Sequence, residues 1–314
     1  MAKIAYLYDD IYLQHDTGFG HPECSERLTA INDKVKTLKF YSELVMINKK
    51  MADYKYIELI HDRSYIERVK EEIESGTRFL DSMDTAVSSM SFAAALYAVG
   101  GCLNMCDAIM KKEADTGFCA IRPPGHHAEK NYAAGFCIFN NIAICARYLQ
   151  TEHNIERVAI IDWDVHHGNG TQHSFESDPS VYYISLHQYP HYPGTGASTE
   201  TGKGKGKGYT LNFPMDGGSG EKEYIHAFEK SIIPELEKFK PEIILISAGF
   251  DANESDPLAS IRLSAESYYK FTKLLQGVAG KYCEKRIIAF LEGGYDLSSQ
   301  ADAVANVMKA FYEE

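Results

Sequence analysis

Four short segments carry the groups that could do chemistry. His126 and His127 stand in RPPGHHAE, and Asp162, Asp164, His166, His167 and Asn169 in DWDVHHGNGT. Asp251 follows EIILISAGF, and Glu292, Tyr295 and Asp296 lie in LEGGYDL. Asp164 and His166 are two apart, so on an extended chain their side chains point the same way. That is what chelation needs, and a carboxylate with an imidazole suits a divalent transition metal. Asp251 can add a third ligand from a neighbouring strand end. Taken singly, a DxH is more often a surface turn with a capping Asp. The turn Pro123-Pro124-Gly125 is rigid and non-helical, and it would hold His126 and His127 in place. They could act as a general base and an electrostatic partner, although a lone histidine pair is more often just packed. Tyr295 follows Gly293-Gly294 and could donate to a developing oxyanion, or merely pack in a turn.

Each apolar run before these segments reads as a strand. KIAYLY, GFCAI, RVAIIDW, VYYISLH, YTLNF, EIILISAGF and RIIAFLEGG are mostly apolar without alternation, as in strands buried on both faces of a parallel sheet. Helical spacing appears in SYIERVKEEIE, YIHAFEKSIIPELEKF, AESYYKFTKLLQGVAGKY and DAVANVMKAFYEE. Alternating strands and helices predict an α/β fold, a central mostly parallel sheet with helices on both faces. Sites in such sheets form beyond the carboxyl ends of the strands. Four strand ends delivering polar groups to one edge are hard to explain as packing. The segment Gly202–Gly208, GKGKGKG, fits no phosphate-binding motif and reads as a solvated loop.

Composition narrows the class. The 314 residues are 45% hydrophobic and 24% charged, which excludes a disordered chain, a collagen and a disulfide knot. With 32 Lys and Arg against 44 Asp and Glu the net charge is −12, a poor match to nucleic acid. No run of 18 apolar residues appears, so no transmembrane helix is expected. The start, MAKIAYLYDD, lacks the pattern of a secretory signal. Seven cysteines with no CxxC pair suggest a reduced, cytoplasmic protein in which they fill core positions. With no repeat and no Pro/Ser-rich linker, one domain over residues 1–314 is the simplest division. GxSxG, HExxH, Walker A and the dinucleotide fingerprint are all absent, and no cysteine is placed as a nucleophile. Metal-assisted hydrolysis is the reaction class left in front.

RPPGHHA, GFCIFNN, DWDVHHGNGTQ, SLHQ, YPGTG, SAGFDA, DPLA and LEGGY occur in this order. Together they resemble the histone deacetylase and acetylpolyamine amidohydrolase family, with its arginase/deacetylase fold. The similarity runs from about Asp16 to the C-terminus. GHPECSERLTAI is similar to an early family element, with Ser25 where proline is usual.

The resemblance implies roles. Asp164, His166 and Asp251 would hold one Zn²⁺. Asp162 would orient His126, and Asn169 would be the partner of His127, a class II-like feature. Tyr295 would be the transition-state tyrosine of a competent deacetylase. Phe136 and Tyr192 would wall a narrow channel, with Leu258 and Asp84 at its entrance. An inner K⁺ site would use Asp162, Asp164, His166, Ser185 and Leu186, and an outer one Phe175, Asp178, Val181 and Tyr209. The implied substrate is acetyl-lysine in a peptide or protein, or else an acetylated polyamine or another small acyl amide. Leu258 favours lysine, because polyamine-selective relatives place a Glu there. Pro22-Glu23-Cys24 is faintly similar to a channel-narrowing motif of a polyamine deacetylase. Two other readings compete. A two-metal ureohydrolase would need a carboxylate at Asn253, and a catalytically dead acetyl binder would not need every catalytic group. No nucleic-acid or membrane partner is expected, and a homo-oligomer stays open.

Overall fold

The computed structural model describes residues 2–313. Among the described residues ten strands form: β1 Ile4–Leu7, β2 Val45–Ile47, β3 Phe79–Leu80, β4 Thr85–Ala86, β5 Thr116–Cys119, β6 Val158–Asp162, β7 Val181–Gln188, β8 Thr210–Met215, β9 Ile243–Ala248 and β10 Ile287–Leu291. Eight of them make one sheet in the order β2-β1-β5-β10-β9-β6-β7-β8. Every neighbouring pair in it is parallel. Strands β5, β6, β9 and β10 are buried at every residue. That explains their continuous apolar character. All carboxyl ends therefore lie along one edge, and β5, β10, β9 and β6 stand side by side in its middle.

Two groups of helices flank the sheet. Ser91–Met110 packs on Asn141–His153, while Leu297–Tyr312 packs against both Glu26–Lys36 and Ala265–Tyr282. The helix Ser91–Met110 is long and apolar enough to cross a membrane, yet 78% of its apolar window is buried inside the fold. It is a core helix, apolar on nearly all sides, which is why no amphipathic period marks it.

Each run read as a strand is one, and AESYYKFTKLLQGVAGKY is a helix over its full length. YIHAFEKSIIPELEKF departs from a single helix. It divides into Glu221–Ala227, a π-helical turn Phe228–Ile232 and Ile233–Phe239. Pro234 has no N–H for the carbonyl one turn back and its ring would clash there, so the turn widens just before it. The last helix starts at Leu297, earlier than its periodicity suggested, because the Asp296 carboxylate accepts from Ser299 N at 2.8 Å and caps it. Glu314 of that run lies outside the described residues. The Gly202–Gly208 segment is more ordered than a solvated loop. Its lysines are exposed, but Lys203 N donates to Glu176 O and Gly206 is buried.

Candidate active site

The three residues singled out for a metal do converge. One ligand atom each from Asp164, His166 and Asp251 lies within 4.8 Å of the others, and all three residues are buried. His166 Nδ1 faces Asp164 Oδ1 and Asp251 Oδ2, both at 3.1 Å. Backbone amides fix the carboxylates: Gly293 N donates to Asp164 Oδ2 and Val165 N to Asp251 Oδ1, both at 2.8 Å. Gly293 has to be glycine, since a Cβ there would sit 2.1 Å from Asp251 Oδ2. Burial and the adjacent Asp164 charge push Asp251 up to about 7. Burial disfavours a charged His166, yet the two carboxylates carry it up to about 10. This buried group of acids therefore calls for positive charge at the point His166 Nδ1 faces. A two-acid, one-imidazole donor set fits a divalent ion there. Among the described residues no other such cluster forms, and Asn253 brings no second carboxylate.

The tandem histidines lie beside this cluster, ring centroids 4.0 Å apart. His126 Nδ1 is 3.0 Å from Asp162 Oδ2, which also accepts from Tyr183 Oη at 3.0 Å. Burial opposes charge on His126, but Asp164 and Asp162 outweigh it and raise the imidazole to about 10. His127 Nδ1 is 2.7 Å from Asn169 Oδ1. Burial, then the neighbouring His126 and His166, hold His127 well below the usual histidine range. The two environments thus pull the histidines apart, favouring the charged form of His126 and the neutral form of His127.

A cavity of about 190 Å³ opens over these groups, lined by Asp84, His127, Gly135, Phe136, His166, Tyr192, Leu258 and Tyr295. Tyr192 meets His127 edge to face at 5.1 Å, and Phe136 meets Tyr295 likewise at 5.9 Å. Phe136 holds φ +68°, a left-handed conformation costing roughly 1–2 kcal/mol. Gly135 before it has φ +55°, and a Cβ there would be 2.2 Å from His127 Cδ2. Tyr295 is held from behind, with its N donating to Asp256 Oδ2 at 2.7 Å and the Arg27 guanidinium 5.1 Å from its ring centre. Among the described residues its hydroxyl has no hydrogen-bond acceptor, so it can donate into the cavity. Asp84 sits in the turn between β3 and β4, and its Oδ1 accepts from Gly135 N at 3.1 Å. Leu258, on the same cavity wall, is 37% exposed.

The two turns that present the site share buried supports whose partners the sequence did not reveal. The Glu292 carboxylate accepts from Gly125 N at 2.7 Å, His126 N at 3.2 Å and Ser247 Oγ at 3.1 Å. Glu23 lies fully buried between Arg27 and Arg122. Arg27 in turn donates to the carbonyls of Glu292 and Gly294, each at 2.6 Å. Pro22-Glu23-Cys24 therefore does not narrow the channel through Glu23, whose side chain faces inward to the two arginines. Glu23→Ala leaves two buried guanidinium groups unpaired, so a loss of about 3–5 kcal/mol is expected, to be read by urea unfolding. Burial opposes ionisation of Glu23, but Arg122 and Arg27 lower it from 4.5 to about 2. Its stabilisation is complete above pH 4.5 and fades as pH falls towards 2.

Residues assigned to potassium are less decisive. Asp162 and Ser185 pair in register on β6 and β7. At the outer site the Asp178 carboxylate is bound by Arg147 and by Ser180 N at 2.8 Å. The carbonyls of Phe175 and Tyr209 already accept from Asp178 N and Tyr183 N. His167 serves structure, its nitrogens meeting Thr195 Oγ1 at 2.8 Å and Gln172 Oε1 at 2.9 Å. His191 was not foreseen. Its ring lies 5.1 Å from that of His166 and its Nε2 is 3.1 Å from Leu258 O. Glu129 was also missed, although its Oε1 accepts from the Asn169 amide nitrogen.

Residues 21–311 match the model of the histone deacetylase domain. The chain belongs to the histone deacetylase family. This deacetylase is 41% identical over 310 residues to "Histone deacetylase 14, chloroplastic" of Arabidopsis thaliana, covering 94% of this chain and 73% of that protein. It is 35% identical over 298 residues to human "Polyamine deacetylase HDAC10", covering 90% of this chain and 44% of that protein. The crystal structure of the HDA15 HD domain superposes with a TM-score of 0.94 at 36% identity, over 100% of this chain and 89% of that one. The fold and the deacetylase class thus agree with the resemblance read from the motifs.

Proposed function

We propose that this deacetylase hydrolyses the acetyl amide of N-acetyl-lysine side chains, with one Zn²⁺ held by Asp164, His166 and Asp251. The observation that carries the reading is the neutral base His127 beside that ligand cluster, beneath a narrow aromatic cavity that also contains Tyr295. A divalent ion so placed supplies Lewis acidity. His127, with its Nδ1 proton on Asn169, uses Nε2 to take a proton from the attacking water and returns it to the leaving amine. The positive His126, held by Asp162, stabilises the negative charge that develops. The Tyr295 hydroxyl donates to the oxyanion of the tetrahedral intermediate. Phe136 and Tyr192 grip the alkyl stem. K⁺ at the inner site beside Asp162 and Ser185, at the outer site of Phe175, Asp178, Val181 and Tyr209, a cytoplasmic setting and a single catalytic domain over residues 1–314 belong to the same reading.

A second reading is an acetylpolyamine amidohydrolase. The similarity to a protein named a polyamine deacetylase and the Asp84 carboxylate at the entrance favour it. Leu258, 37% exposed at the lip, argues for lysine, because it offers contact to a stem and none to a second ammonium. Leu258→Glu is expected to move the ratio of kcat/KM values towards acetylated polyamines by a few-fold, as an exposed charge pair is worth about 0–1 kcal/mol. The ratio for acetyl-lysine peptide over acetylspermidine, measured in both proteins at fixed ionic strength, tests it. A wild type that already prefers acetylspermidine removes Leu258 as the selector.

A further inference from the structure

Glu129 Oε1 accepts from the Asn169 amide nitrogen at 2.6 Å, and His173 Nδ1 lies 2.8 Å from the same oxygen. Asn169 Oδ1 in turn lies 2.7 Å from His127 Nδ1. An asparagine amide offers donors on one side and an acceptor on the other. Its orientation is set by its neighbours, and here one neighbour is a carboxylate with no proton to give. Turned round, Asn169 would press an oxygen against that carboxylate. It would also point its NH₂ at His127 Nδ1, which would then accept and move the ring proton to Nε2.

We propose that Glu129 is a positioning residue for the catalytic base: by holding the Asn169 amide in one orientation, it keeps the His127 proton on Nδ1 and leaves Nε2 free towards the cavity. This rests on the reading of His127 as the base, and it assigns Glu129 a function that its place on the surface side of Asn169 does not advertise. His173, part-exposed, closes the far end of the chain by donating to the carboxylate. Glu129 touches neither the cavity nor the metal ligands, so its effect reaches the reaction only through Asn169.

The test separates orientation from mere support of the fold. In wild type, Glu129→Ala is expected to lower kcat at least about tenfold, within the 10²–10⁴ at stake in general base catalysis, with KM little changed. Asn169→Asp offers an acceptor on both sides and needs no orienting partner, while its charge lies against Glu129. Adding Glu129→Ala to Asn169→Asp is therefore expected to raise kcat relative to Asn169→Asp alone. A residue that only supports the fold would lower kcat in both backgrounds, and that result overturns the proposal. Independently of turnover, ¹⁵N chemical shifts of His127 in the wild type should show a protonated Nδ1 and an unprotonated Nε2. In Glu129→Ala the two tautomers should mix. Shifts unchanged by Glu129→Ala overturn the proposal even if no acetylated substrate is turned over, whereas absent turnover with the expected shifts overturns only the deacetylase reading.

Discussion

Tyr295→Phe is expected to lower kcat by about 10²–10³, the usual worth of one oxyanion donor, with KM almost unchanged. The hydroxyl would act only once the carbonyl has become an oxyanion, so its loss falls on the transition state rather than on binding. The ring itself should stay in place. It is fixed by the Tyr295 N bond to Asp256, by Arg27 behind it and by Phe136 at its edge, and none of these uses the hydroxyl. Phenylalanine therefore fits the same space, and thermal unfolding should be little changed. A variant with near wild-type kcat would reduce Tyr295 to packing.

Asp251→Ala is expected to abolish most metal binding and with it turnover. The substitution removes one of three ligands and half of the negative charge that the site presents. It also removes the acceptor for Val165 N, 2.8 Å away, at the strand end that carries Asp164 and His166. Asp251→Asn serves as the control, since it can keep that hydrogen bond while losing the charge. Both proteins should be purified and analysed for zinc, iron and cobalt beside the wild type. Sub-stoichiometric metal in both variants supports the site, and full metal with normal turnover in either removes Asp251 from it.

Much of the candidate site was legible because the proposed ligands and base come in short, contiguous motifs. Asp162, Asp164 and His166 follow one apolar run, His126 and His127 another, and a parallel sheet gathers such ends on one edge. The order of the strands was not legible, because it depends on pairings between distant segments, as when β10 inserts between β5 and β9. Strand β2 has three residues and no period to detect. The partners of the proposed catalytic residues were hidden for the same reason. Glu23 and Arg27 support turns 265 and more residues away, as in the bond from Arg27 to the Glu292 carbonyl. Glu129 was quoted within a motif, but only the fold shows that it lies against Asn169, 40 residues on. Glu292 and Asp296 looked alike as acids near Tyr295, and burial divides them into a clamp on the His126 turn and a helix cap.

The central claim is that a metal-dependent site here cuts the amide of acetyl-lysine. Parallel kcat/KM measurements on metal-replete enzyme, with an acetyl-lysine peptide and with acetylspermidine, test it most directly when acetate release is followed before and after chelation. The account predicts release from both substrates, a higher kcat/KM for the peptide, and loss of both activities on chelation with recovery on adding Zn²⁺. Peptide cleavage that survives complete removal of metal, or acetylspermidine as the clearly better substrate, would contradict it.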